Sequence, residues 1–308
     1  AAGGSAGEHF RGLAAQPRRL DILLAVFAGS QFLSDALIQS PAIFDWATQP
    51  EHLHRVRPAS EMLAAFRGLG SGSRDEWLAE LRRGRRREYV RLGIRDICLG
   101  APLQEIMREL SMLAEAILES AWEREAGESG LAPGRLSILA FGKLGGEELN
   151  YSSDIDLLAL APSDASAEEL DALCRAVARL RADLSAHTEE GYAYRVDLRL
   201  RPYGRSGELV AGRDGALRYY RESAALWELQ ALLKARPVAG DLELGAEFLG
   251  EARQRLRRPF PPAEVARSVA DLRRASRARL ARALPGGPNI KEGGGGIRDV
   301  EFLVQALQ

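Results

Sequence analysis

Apolar positions in the first part of the chain recur with the three-and-four step of helices. Leu20, Leu23, Leu24, Val26 and Phe27 form one band, and Phe32, Leu33, Leu37 and Ile38 a second, before Ser40-Pro41 interrupts. Pro50 and Pro58 punctuate a looser stretch, and LGSGSR from Leu69 to Arg74 reads as a loop. Trp77, Leu78, Leu81, Val90, Leu92, Ile94 and Ile97 then resume the helical step. Ala101-Pro102 opens another helix with Leu103, Ile106, Leu110, Leu113, Ile117 and Leu118 on its apolar face. Gly127 to Gly134 links this helical region to a segment of a different period.

That segment begins with Leu136 to Phe141, a continuous apolar run that suits a buried strand. Gly142 and Gly145-Gly146 follow, where the backbone can turn tightly and approach a ligand closely. Ser152, Ser153, Asp154, Ile155 and Asp156 then lead into a second apolar run. On a strand, Asp154 and Asp156 share one face. Adjacent carboxylates repel and are costly to bury unless a cation lies between them. Hard oxygen donors of this kind suit Mg²⁺ together with substrate phosphates. A lone Asp-x-Asp is also common in turns, so the inference leans on the glycine turn, the serine and a third carboxylate.

The third carboxylate is Asp197. From Tyr192 to Leu200 the residues alternate: Tyr192, Tyr194, Val196, Leu198 and Leu200 on one side, Ala193, Arg195, Asp197, Arg199 and Arg201 on the other. The alternation predicts a strand. Its polar face suits either plain solvation or a metal ligand flanked by phosphate-binding guanidinium groups.

Between the two acidic segments, Ser166-x-x-Glu169 predicts a capping box, opening a helix with Leu170, Leu173, Val177, Leu180 and Leu184 inward. Pro202 and Gly204 turn the chain, and Ser206-Gly207 is either a plain turn or a loop whose amides hold phosphate. Tyr219, Tyr220, Leu226, Trp227 and Leu229 predict a further helix, and another runs from Pro262 to Leu284. The glycine run Gly293–Gly296 precedes a last helix carrying Asp299 and Glu301, and serves either as an anion site or as a hinge.

Composition narrows the function classes. With 46% hydrophobic and 28% charged residues the 308-residue chain is globular, and its formal net charge of −1 weighs against a nucleic-acid partner. The cluster Arg82, Arg83, Arg85, Arg86 and Arg87 is expected to be a solvated helix face, since Glu80 and Glu88 bracket it. His52 and His54 are expected as an exposed pair. Cys98 and Cys174, with no metal-ligand spacing, are expected to pack in helices in a reducing compartment. No signal-peptide pattern opens the chain and no apolar run approaches the ~20 residues of a membrane span, so a cytoplasmic protein is expected. AAGGSAGEH at the start reads as a flexible leader.

Four segments carry a family resemblance: FGKLGGEELNYSSDIDLL, YRVDLRLRPYGRSGELV, WELQALLKARPVAGD and IKEGGGGIRDVEFLVQ. They resemble one catalytic half of glutamine synthetase adenylyltransferase, the enzyme that attaches AMP to a tyrosine of glutamine synthetase and removes it. RPYGRSGELV, LLKARPVAGD and Arg298 in GGIRDVEF are more similar to the N-terminal, deadenylylating half. The resemblance implies a mostly α, α+β chain with a nucleotidyltransferase (polymerase beta-like) core at residues 131–240. It implies flanking helical regions at 1–130 and 241–308, the second continuing past Gln308. It further implies two Mg²⁺ ions on Asp154, Asp156 and Asp197. The implied nucleotide and phosphate contacts are Gly145, Gly146 and Ser153, with Lys143, Arg199 and Arg201. The implied partners are glutamine synthetase, ATP, ADP and phosphate, with a PII-type regulatory protein besides. The alternatives are adenylylation in the opposite direction and a non-catalytic nucleotide-sensing or docking module.

Overall fold

The computed structural model describes residues 16–70, 72–257, 259–280, 289–291 and 293–307. The expected leader at residues 1–9 and the expected helix end at 281–284 lie outside the described residues.

Among the described residues seven helices come first: α1 (Pro17–Gly29), α2 (Gln31–Gln39), α3 (Ala42–Ala47), α4 (Pro50–Leu53), α5 (Ala59–Arg67), α6 (Arg74–Leu99) and α7 (Leu103–Glu128). The boundaries have local causes. Ser73 and Glu76 form a reciprocal capping box that starts α6, and Gly100, at φ 60°, ends it in the left-handed conformation. The second half interleaves β1 (Ser137–Ala140), α8 (Gly142–Gly145), β2 (Ile155–Ala161), α9 (Ala167–Ser185), β3 (Val196–Asp197), β4 (Val210–Gly212), α10 (Arg213–Glu222), α11 (Leu226–Ala231), β5 (Arg236–Gly240), α12 (Leu242–Ala252), α13 (Pro262–Leu280) and α14 (Ile297–Leu307). The chain is thus mostly α with a small mixed sheet. Among the described residues no helix is long and apolar enough to cross a membrane.

β1 is central, antiparallel to β2 on one side and β5 on the other. The free edge of β2 is shared: its first residues pair parallel with β3 and its last with β4. Both faces of the sheet are covered, which is why its strands read as continuous apolar runs. Ile138, Ala140, Ile155, Leu157, Ala159 and Ala161 join the core with α5–α7 and α9. Leu139, Phe141, Leu158 and Leu160 pack on the opposite side with α10–α12. Leu244, Phe248 and Leu249 of α12 belong to this second layer, so packing continues past residue 240.

Four expectations about local structure need correction. The arginine cluster on α6 is not a solvated face: Arg82 and Arg85 are buried. Arg82 donates to the Asp183 carbonyl, Arg83 and Arg86 both reach Glu190, and the Arg85 guanidinium lies 3.9 Å from the Tyr89 ring centroid and 4.7 Å from that of Tyr194. Sequence bracketing by Glu80 and Glu88 says nothing of these partners about 100 residues away in the chain, which hold α6 against the end of α9 and the loop after it. His52 likewise is stacked on Trp46, with centroids 4.2 Å apart, while His54 is exposed.

The nine-residue strand expected from Tyr192 to Leu200 shrinks to the two residues of β3. Ala193 and Tyr194 are both buried, and their N–H groups donate to the Leu184 carbonyl at the end of α9. Beyond Leu198 the chain turns through Tyr203 at φ 62° and Gly204 at φ 58°. The edge of β2 is taken over by β4, so a longer β3 would have no backbone partner. The Ser166 cap forms, but only half the box: Ser166 Oγ accepts from Glu169 N–H, and the Glu169 carboxylate goes to Arg135.

Candidate active site

The turn after β1 is set by close packing. Gly142 has φ 55°, and a Cβ there would lie 2.8 Å from Asp156 Oδ2. Gly145 is squeezed between backbones: its Cβ would sit 2.4 Å from the Lys234 carbonyl oxygen and 2.7 Å from that of Ala140. Arg236 of β5 fastens the same turn, donating to the carbonyls of Gly145 at 3.1 Å and Leu144 at 3.0 Å. Gly145 N–H and Gly146 N–H donate to Phe141 and Gly142 carbonyls within the turn. Gly145→Ala is therefore expected to destabilise by about 2–3 kcal/mol, since backbone atoms cannot yield. At Gly146 the nearest atoms, Glu148 Oε1 at 3.1 Å and Lys234 Cδ at 3.2 Å, belong to mobile side chains. Gly146→Ala should cost under ~1 kcal/mol, and equal losses in denaturant melts of the two variants would disprove this assignment of the tight contact.

The acidic residues meet where β2 and β3 begin. The parallel register pairs Ile155 with Val196 and Asp156 with Asp197. Asp154 precedes β2, is exposed, and ion-pairs with Arg195, whose Nη2 also donates to the Ser152 carbonyl at 2.8 Å. Asp197 accepts from Arg199 N–H at 2.8 Å and from Arg199 Nε at 2.7 Å. Although burial acts to raise it, Arg199 holds the Asp197 carboxyl below its usual value. Asp156 is pushed the other way, to about 6, by burial first and then by the Asp197 and Asp154 charges; Arg199 and Lys291 offset part of this. Lys291 brings the glycine-rich segment before α14 into the electrostatics of the aspartates.

A divalent cation fits these donors in chemistry and register: three carboxylates within electrostatic reach, one of them strained by the other two. Asp154 and Asp197 each face a guanidinium instead of converging, and among the described residues no three such side chains form a ready-made metal cluster. For these carboxylates to hold a cation, Arg195 and Arg199 would have to rotate away.

The other expected contacts divide. Ser153 lies in the turn before Asp154 with its hydroxyl donating to Asn150 Oδ1 at 2.6 Å, and Lys143 is half-buried in α8. Arg199 stands at the aspartates. Arg201 is buried and spends its guanidinium on carbonyls, Leu198 at 2.7 Å and Gly207 at 2.9 Å, so it fastens its own loop. In that loop Ser206 N–H and Gly207 N–H donate to Tyr203 and Gly204 carbonyls. Two arginines not singled out from sequence, Arg181 on α9 and Arg205, join Asp154, Arg195, Asp197 and Arg199 around a cleft of about 440 Å³. Neither makes an ion pair among the described residues. Arg181 lies next to the inward Leu180 on an otherwise ordinary helix, and no local pattern sets it apart from Arg175 or Arg179.

A family model described as glutamate-ammonia ligase adenylyltransferase matches residues 20–251, and one described as GlnD PII-uridylyltransferase matches residues 265–308. A bifunctional glutamine synthetase adenylyltransferase/adenylyl-removing enzyme from Streptomyces avermitilis is 37% identical over 308 residues, covering 96% of this chain and 29% of the relative. Enzymes of the same description from Thioalkalivibrio sulfidiphilus and Nitrosococcus oceani are 35% and 34% identical, each across 94% of this chain and 31% and 32% of their own lengths. The chain thus spans about three-tenths of the length of these curated relatives.

Proposed function

The chain belongs to the glutamate-ammonia ligase adenylyltransferase family, and from that premise we propose that it is a metal-dependent nucleotidyl-transfer unit acting on glutamine synthetase. Its direction is removal of AMP from the adenylylated tyrosine by phosphate. The catalytic core is residues 131–240, of the nucleotidyltransferase type, with helical regions at 1–130 and 241–308. The observation that carries the reading is the meeting of Asp154, Asp156 and Asp197 at one sheet edge beside arginines with no carboxylate of their own.

Asp154, Asp156 and Asp197 would hold two Mg²⁺, which when bound would supply charge neutralisation for the transferring phosphoryl group. Arg181, Arg199 and Arg205 bind the anionic co-substrate and the adenylyl phosphate. A phosphate oxygen forms the new P–O bond, the bond from phosphorus to the tyrosine oxygen breaks, and the tyrosinate takes a proton from solvent. ADP and unmodified glutamine synthetase are the products. The protein's share is positioning and screening of charge. The partners are glutamine synthetase, ATP or ADP, phosphate and a PII-type regulatory protein.

The same carboxylates serve adenylylation with ATP, so the direction rests on RPYGRSGELV, LLKARPVAGD and the Arg298 motif. Incubation with adenylylated glutamine synthetase, Mg²⁺ and phosphate is expected to release ADP, resolved by chromatography. Incorporation of label from α-labelled ATP into unmodified glutamine synthetase would reverse the direction. Neither reaction, with glutamine synthetase still bound, would favour a docking module.

A further inference from the structure

A cavity of about 670 Å³ lies between α2, α6 and the loop after α9, on the wall of Tyr151 and Ser152. Its size is that of a small-molecule site. Arg82 and Arg85 line it, are 5% and 7% exposed, and form no ion pair among the described residues. Arg82 donates to the Asp183 carbonyl at 2.7 Å, and Arg85 reaches the Tyr192 carbonyl, at 3.5 Å. The Nε–H of each has no hydrogen-bond partner.

Three tyrosine rings surround the Arg85 guanidinium, with Tyr192 at 5.5 Å completing the set. They offer it π faces but no negative charge. Burying a cation without a counter-charge is costly. The carboxylates of the same wall are engaged elsewhere: Glu190 with Arg83 and Arg86, Asp96 with the Tyr151 hydroxyl at 3.2 Å, and Asp35 with Gln31 at 2.7 Å. Glu189 is exposed. An apolar side of the cavity is formed by Phe32, Leu33 and Ile97.

We propose that this cavity binds a small-molecule anion, its carboxylate or phosphate on Arg82 and Arg85 and its flat apolar part against Phe32 and Ile97. The occupant acts as an effector of the aspartate cluster. The path is short: Ser152 lines the cavity, its carbonyl accepts from Arg195, and Arg195 holds Asp154. A ligand that shifts Ser152 therefore loosens or tightens the Arg195–Asp154 pair that must open for a cation to enter. Binding at this cavity is independent of the proposed function; the effector role rests on that function.

Phenyl phosphate and benzoate separate the two anionic headgroups, inorganic phosphate tests the headgroup alone, and benzamide is the neutral control. Calorimetry on the whole chain is expected to give, beside any uptake at the aspartate cleft, a separate site for phenyl phosphate or benzoate and none for benzamide. Arg85→Gln should weaken it at least about tenfold, whereas Arg199→Ala, at the aspartates, should leave it unchanged. If Arg85→Gln does not fold, Arg82→Gln carries the same expectation. Hydrogen exchange is expected to change at residues 151–156 on binding, a readout that needs no turnover. Equal binding of benzamide, or no binding of either anion to the wild-type chain, would overturn the site. Loss of binding in Arg199→Ala would move it to the aspartate cleft, and unchanged exchange at 151–156 would remove the effector role.

Discussion

Asp156→Asn is expected to lower turnover by roughly 10²–10³-fold or more while making the metal-free protein more stable. Both halves follow from its position. Asp156 is the most enclosed of the three aspartates, on the inner register with Asp197, and its carboxyl is raised from 3.8 to about 6 by burial, Asp197 and Asp154. A raised carboxyl binds its proton more tightly in the folded state. Its stabilising contribution is complete below about pH 4 and is lost as pH rises through about 6. A shift of this size is about 2–3 kcal/mol at neutral pH. Thermal melts of the metal-free wild type should thus show this contribution declining between pH 4 and 6, and Asp156→Asn should lack it. Mg²⁺ with nucleotide should reverse the order, stabilising wild type and leaving the variant unmoved. Near-normal turnover in Asp156→Asn, or identical pH–stability curves for the two proteins, would remove Asp156 from the site.

Glu109→Ala is expected to cost about 3–5 kcal/mol, the largest single loss in the helical region. Glu109 and Arg91 are both fully buried, their contact is 2.6 Å, and Arg95 makes a second pair with Glu109. Glu109 Oε2 also accepts the Arg57 backbone N–H at 3.1 Å, which ties the loop before α5 to α7. Glu88 completes the network, pairing with Arg57 and with Arg91 at 2.8 Å. Truncating Glu109 leaves the buried Arg91 sharing Glu88 with Arg57 and leaves Arg95 with only the half-exposed Glu105, and this loss of buried counter-charge makes the loss large. Glu61→Ala removes a partner of the same Arg57 at the half-exposed rim, and should cost under ~1 kcal/mol. Urea melts give the comparison. A Glu109→Ala loss no greater than that of Glu61→Ala would mean that the network contributes little to stability.

Local patterns sufficed wherever cause and effect lie within a few residues. The three-and-four steps before residue 127 produce helices because one apolar stripe must be buried. The apolar runs at 136–141 and 157–161 supply strands covered on both faces for the same reason. Gly142, Gly145, Asp154, Asp156 and Asp197 were legible because a tight turn and adjacent carboxylates impose residue types at fixed spacing. The rest depends on partners distant in sequence. The alternation from Tyr192 to Leu200 carries a strand pattern, but the edge of β2 has room for only two of its residues before β4 takes over. Arg82–Arg87 has the composition of a wet helix face, yet Asp183, Glu190 and Tyr192 lie about 100 residues on and close over it. Arg199 and Arg201 look alike on one strand face; a turn at Tyr203 sends one to the aspartates and buries the other among carbonyls. Residue type and spacing mark out the candidate turn and carboxylates. Which charged groups face each other, and which are enclosed without a counter-charge, is decided only when the sheet edge and the helices at its flank come together.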